Sequence, residues 1–263
     1  MSFSLPSSPT SPTLHPQAPP PWHYALRTSY TLNYPPNTDK AYLTMANIKR
    51  SGETSMHSLA FQSFVDEDAR FLTFLLAMNN NSLMGDIRSD PQAKLCCTNF
   101  SQMLMILRMM PKSKEQYHFS GKFYIASSPT QVTRFPPPKV SDQLPAAVYW
   151  ETERRRQWSL MSNRTRASFT WPSQGEVPKA DRLSFSCQSL DCMMDKEGPR
   201  IGVAGTPEEM IKVVHDIAMD NFCLLAYKVT RVGHFDHSVF PPKRTIYTYS
   251  LKTNAWSVQD ANP

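Results

Sequence analysis

The sequence predicts an antiparallel β-barrel flanked by peripheral helices, of the mainly β or α+β class. Three observations lead there. Short apolar or alternating runs recur through residues 41–126 and 222–258, with the length and patterning of strands. Helix signals are few and fall before or between those runs. Gly, Ser and Pro mark the joints, as they do in hairpins and surface loops.

The elements follow in order. Residues 1–20 are rich in Ser, Pro and Thr. They carry too little apolar surface to offset the entropy of ordering, which predicts a disordered tail. One domain is expected over residues 21–263. Trp22–Tyr30 predicts a short helix with Tyr24, Leu26 and Tyr30 partly buried. Ala41–Ile48 reads as a strand and Ser55–Phe64 as its return, joined by a turn at Arg50-Ser51-Gly52-Glu53 where glycine supplies a positive φ. Phe71–Met78 is a further apolar run, Leu83–Gly85 extends the sheet, and Pro91–Asn99 is expected as a short helix. Met103–Met110 reads as a buried central strand and Tyr117–Ala126 as an alternating one. A proline-rich loop insertion covers 127–148, and Trp150–Leu160 is a charged amphipathic helix. A second loop insertion covers 173–205. Thr206 then caps a helix, with Pro207 in its first turn, Glu208 and Glu209 beside the positive end of its dipole, and an apolar face running to Ile217. Phe222–Arg231, Arg244–Leu251 and Ala255–Val258 are the last strands.

Bulk properties narrow the function classes. A chain of 263 residues, 40% hydrophobic and 19% charged, buries a sizeable core. The net charge of +6 suits an anionic ligand as well as a solvated surface, but no basic run or motif supports nucleic acid as a partner. The five cysteines are odd in number, and Cys187 and Cys192 are badly spaced for a zinc ribbon. No metal is expected, and a reduced, cytoplasmic setting fits. No apolar run reaches the ~20 residues that span a bilayer, and the first arginine is Arg27. Neither a membrane partner nor an export address is therefore read. The acceptor-like triplets at Asn80, Asn99 and Asn163 are taken as chance. No P-loop, dinucleotide glycine fingerprint or Ser-His-Asp order is present.

Four stretches carry a resemblance. Arg156 to Pro172, with Trp158, Leu160, Ser162, Arg166, Phe169 and Trp171, resembles a W-x-x-L-S-x-x-x-R-x-x-F-x-W-P signature. Pro111-Lys112-Ser113-Lys114-Glu115-Gln116-Tyr117, followed by Gly121, is similar to a P-K-T-R-E-Q-F strand opening. Asp220 to Leu225 is the third stretch, and Arg244 to Tyr247 with Ala255-Trp256 and Asn262-Pro263 the fourth. In this order they resemble the pyridoxamine 5'-phosphate-oxidase-like FMN-binding family, in its short branch without an assigned substrate. The resemblance implies an FMN-binding split β-barrel, FMN as cofactor, and a homodimer with flavin at the interface. It also implies a flavin-dependent oxidoreductase of unassigned small substrate as one outcome. Trp158, Phe169 and Trp171 are read as core aromatics that identify the fold, not the chemistry.

The same resemblance supplies cofactor-binding candidates. The family's first phosphate-side segment resembles R-T-V-V-F-R-G-F, and here reads His57 to Phe64. Both arginines are replaced, by His57 and Gln62, while Ser58 keeps a hydroxyl. The second segment resembles T-D-x-R-S-x-K. Asp86-Ile87-Arg88-Ser89 matches its core, with Lys94 as the lysine if residues 90–92 are an insertion. An alternative alignment begins at Phe74 and puts Asn79–Leu83 at these positions, with no basic group. Gln116 matches the glutamine that approaches the isoalloxazine, and Arg244 the arginine near its reactive side. The substrate-holding residues of true pyridoxamine phosphate oxidases are absent, since their places fall roughly at His234, Phe240 and Pro242. Vitamin-B6 oxidation is rejected on that ground. The alternative from another class is a flavin-free, non-catalytic scaffold.

Overall fold

The computed structural model describes residues 18–35, 41–49, 51–97, 110–173 and 215–263. The tail through residue 17, residues 103–109 of the expected central strand, the loop at 174–205 and the helix start at Thr206 fall outside them.

Eight strands make one antiparallel sheet: β1 (Tyr42–Ile48), β2 (Thr54–Phe64), β3 (Phe71–Ala77), β4 (Gln92–Cys97), β5 (Glu115–Ala126), β6 (Phe222–Asp236), β7 (Lys243–Ser250) and β8 (Ala255–Ala261). Their spatial order is β3-β2-β1-β4-β5-β6-β7-β8, and β3 also pairs with β6. That extra pairing closes the first six strands into a barrel. β6 does two jobs along one edge. Residues 222–228 pair with β3, and residues 231–236 pair with β7. The β7–β8 hairpin thus extends the sheet beyond the closed barrel.

Alternation explains most strands. In β1, Leu43, Met45 and Asn47 are buried while Tyr42, Ala46 and Ile48 are exposed. The hairpin to β2 turns at Gly52, whose φ is 87°, as expected of a residue without a Cβ. β3 breaks the alternation because both its faces are covered. Leu72, Phe74 and Leu76 fill the barrel. Phe71 packs outward with Trp150, Trp158, Phe169 and Phe222 beneath α3 (Ala146–Leu160) and α4 (Asn163–Ala167). A fully buried phenylalanine such as Phe74 contributes about 1.5–3 kcal/mol relative to exposure. Arg154 on α3 is buried with them. It donates to Glu151 and to the carbonyls of Met219 and Phe222, at 2.8 and 3.1 Å for the carbonyls.

The barrel interior is stoppered by α1 (His23–Asn33), which inserts Trp22 and Leu26, and by α2 (Asn81–Ser89), which inserts Leu83, Met84 and Ile87. Little space is left. The gap beside Leu26, Tyr30 and Phe61 has a volume of about 20 Å³ and an apolar lining, far below the ~300 Å³ of a small-molecule pocket.

Three expectations are corrected. Leu83–Gly85 does not extend the sheet but lies in α2, because the Asn80 side chain accepts from the Leu83 N–H and caps a helix. The described part of Pro91–Asn99, through Cys97, is no helix. β4 runs through it, with Ala93, Leu95 and Cys97 inward and Gln92 and Lys94 outward, a period of two. Tyr24 is 81% exposed, so α1 buries Leu26 but not this tyrosine. Residues 215–221 are helical, in line with the expected helix before β6. Among the described residues no helix is long and apolar enough to cross a membrane.

Candidate functional site

Among the described residues α3 and α4 cover the outer face of the barrel around β3, the end of β5 and the first half of β6. Across β1, β4, β5, the second half of β6 and β7, the outer face carries three cross-strand rows. The middle row runs Ser58, Thr44, Cys96, His118, Gly233, Ile246. One row to its side runs Met56, Ala46, Lys94, Ser120, Arg231, Thr248. The other joins Gln116, Phe235 and Arg244. Paired residues in an antiparallel sheet point to the same face. Ser58, Lys94, Gln116 and Arg244 are therefore brought to one surface.

Contacts knit this surface together. The Gln116 amide nitrogen lies 2.8 Å from His118 Nε2 and 3.8 Å from Cys96 Sγ. The His118 ring is 5.3 Å from that of Phe235, over which the Arg244 guanidinium lies at 4.6 Å. Arg244 Nε is buried, with no hydrogen-bond partner among the described residues. Burial, and then the Arg244 and Lys94 charges, hold the His118 imidazole below its usual pKa. Burial pushes the Cys96 thiol up, against the Gln116 contact that would lower it.

The other candidates lie elsewhere. His57 faces the barrel interior, one residue from Ser58 but on the opposite side of β2, where its Nε2 meets Asp86 Oδ2 of α2 at 2.7 Å. Burial raises the Asp86 carboxyl, but hydrogen bonds from Ser55 and His57 and the charges of His57 and Lys49 outweigh it and hold the group below the usual carboxylate range. Gln62 lies at the irregularity between Phe61 and Ser63, and its amide donates to the Ala60 carbonyl at 3.1 Å. Arg88 and Ser89 end α2, and the Arg88 carbonyl accepts from Arg134. Of the alignment alternatives, Asn79–Leu83 is the segment that opens a helix directly after β3, whereas Asp86–Ser89 is the end of that helix. His234 belongs to the inner face, stacked on Tyr117 at 4.5 Å and bonded to Glu115 at 2.9 Å. Phe240 is 97% exposed.

Sequence reasoning missed Cys96, His118, Phe235 and Arg231. The period of two supplied a signal for one of them: His118 follows Gln116 by two residues and must share its face. Among the described residues no three His, Cys, Asp or Glu side chains converge as a metal site.

Comparison with solved structures supplies the fold's relatives. A pyridoxamine 5'-phosphate oxidase-related, FMN-binding protein from Nostoc punctiforme PCC 73102 superposes with a TM-score of 0.64 at 20% identity, over 94% of this chain and 100% of that one. The fold is the pyridoxamine-phosphate-oxidase-like split barrel. PhzG from Burkholderia lata 383, solved with tetrahydrophenazine-1-carboxylic acid, shares this split barrel with a TM-score of 0.57 at 14% identity, over 93% of each chain. No family model and no curated protein matches the sequence.

Proposed function

We propose that this split barrel binds FMN on its outer face, as a homodimer, and that it is a flavin-dependent oxidoreductase of unassigned small substrate. The observation that carries the reading is the convergence of Gln116, Lys94 and Arg244, from three strands, on one surface that also offers Phe235. An amide can both donate to and accept from the polar edge of an isoalloxazine. The Arg244 guanidinium stabilises negative charge there. The Nostoc protein of the same fold is FMN-binding by description. Bound flavin supplies hydride chemistry, and the protein's part is to orient and polarise the ring. Tyr42, Ile48 and Met56 are 52–71% exposed on the outer face of β1 and β2, an apolar surface that a second copy would cover.

The phosphate end fits less well. Ser58 offers a hydroxyl, but His57 is engaged by Asp86, and a carboxylate disfavours a phosphate dianion. This pair favours the second reading, a flavin-free scaffold. Each lost charged hydrogen bond forfeits roughly 1.5–3 kcal/mol, so two missing arginines weaken FMN by about two to four orders of magnitude. The test is a visible spectrum of the purified protein and a titration of FMN fluorescence, repeated with Gln116→Ala and Arg244→Ala. Quenching at micromolar protein that weakens in both variants supports the flavin reading. A colourless protein that leaves FMN fluorescence unchanged sinks it in favour of the scaffold.

A further inference from the structure

His118 stands in the middle row of this outer face and is in neither core cluster of the described residues. From β4 it is faced by Lys94 and by Cys96, its direct cross-strand partner. Gln116 and Ser120 flank it on β5, and neither titrates. From β6 come Gly233, Phe235 and, at the level of Ser120, Arg231. From β7 come Arg244 and Ile246. Thr44 and Ser58 complete its row and are uncharged. Glu115 lies on the opposite face with His234. Among the described residues every charged group facing His118 is therefore cationic. Among the described residues none of Lys94, Arg231 and Arg244 is in an ion pair.

Cations gathered on one surface without carboxylates repel one another, and an anion placed among them removes that repulsion. Phe235 sets the shape of what fits, because its ring already contacts both His118 and Arg244 and offers a flat apolar neighbour. We infer that Lys94, His118 and Arg244 form one anion-binding cluster, in which His118 is the member whose charge follows pH, so that planar aromatic anions bind more tightly in mild acid. The inference rests on the flavin reading for the flat ring of its ligand, while its charge argument needs only these residues.

The sign follows from linkage. Free His118 titrates below the usual ~6.5 for histidine. A bound anion raises that value by favouring the protonated ring. The gain in affinity is complete below the free value and is lost as pH rises through the value in the complex. Between the two it changes by up to about tenfold per pH unit.

Two measurements test this. In the first, the imidazole signals are titrated by NMR in chloride and in sulfate at equal ionic strength, and His118→Gln identifies the resonance. Sulfate, whose charge is constant over this range, should raise the His118 midpoint, and by less in the Lys94→Gln, Arg244→Gln double variant. In the second, FMN and riboflavin affinities are followed against pH in the parent and in His118→Gln. FMN should gain on riboflavin in acid by more in the parent than in the variant. If no flavin binds at any pH, the flavin reading fails and the sulfate titration alone decides the cluster. A His118 midpoint equal in sulfate and chloride overturns the inference, as does the same FMN profile in parent and variant.

Discussion

Replacing Gly121 by alanine should be the most damaging single methyl addition in the barrel. Gly121 lies on β5 at the irregularity beside Ser120, opposite Val229. A Cβ built there would fall 2.2 Å from the Lys228 carbonyl oxygen, 3.0 Å from its carbon and 2.9 Å from Cζ of Tyr227. Ordinary contact begins at 3.4 Å, so the oxygen stands about 1.2 Å too near. Neither neighbour can retreat cheaply. Lys228 pairs with Phe71 on one side and Lys122 on the other, and the Tyr227 hydroxyl donates to the Ala93 carbonyl at 2.7 Å in the core. Overpacking against fixed backbone costs about 3 kcal/mol, which lowers the melting temperature of a chain this size by roughly 6–12 °C. Urea unfolding followed by circular dichroism measures it. Gly85 is the control: it lies exposed in α2, and a Cβ there meets nothing within 4 Å. Gly85→Ala should be stabilising by about 0.5–1 kcal/mol. If Gly121→Ala stays within about 0.5 kcal/mol of the parent, a value typical of harmless surface changes, the close approach of β5 and β6 has been misjudged.

Two further predictions concern buried charge. Arg154→Met keeps the apolar bulk of the side chain but leaves the Met219 and Phe222 carbonyls without this donor. It should cost about 2–4 kcal/mol in denaturant unfolding, and an unchanged midpoint would refute its role as the brace between α3 and β6. For Asp86, whose folded carboxyl titrates below the unfolded one, stability is present above the unfolded value of ~3.9 and fades as pH falls through the folded value. The stability gap between the parent and Asp86→Asn should therefore shrink below about pH 4. A gap that is constant from neutral pH to about 3 would count against the His57–Asp86 contact as a charged one.

The barrel was legible in the sequence wherever one face was buried and the other wet, as in β1 and the first part of β2, because alternation then writes the strand directly. Two errors share one cause. Pro91–Asn99 reads as a short helix, yet Ala93, Leu95 and Cys97 repeat every second residue, and Pro91 ends the link from α2. The helix signal lies earlier, in Asn80 as cap followed by Leu83, Met84 and Ile87 at helical spacing. The site was half legible. Gln116, Arg244 and Lys94 do share a face, but only register tells His57 from Ser58. A step of one residue along β2 separates the outer surface from the barrel interior. His118 and Phe235 meet through pairing of strands more than one hundred residues apart in sequence, a fact no local pattern contains.

The β3–β6 seam has a consequence for the chain as it is made. Phe71 to Ala77 finds its closing partner in residues 222–228, about 150 positions later. Until those residues leave the ribosome, β3 presents an unpaired edge of sequence Phe-Leu-Thr-Phe-Leu-Leu-Ala, without a charge or a proline to guard it. Synthesis at roughly 5–20 residues per second keeps that edge open for on the order of ten seconds. During that interval the nascent chain is at its most vulnerable to strand addition by another copy. A chaperone that shields apolar strands would act on this segment first.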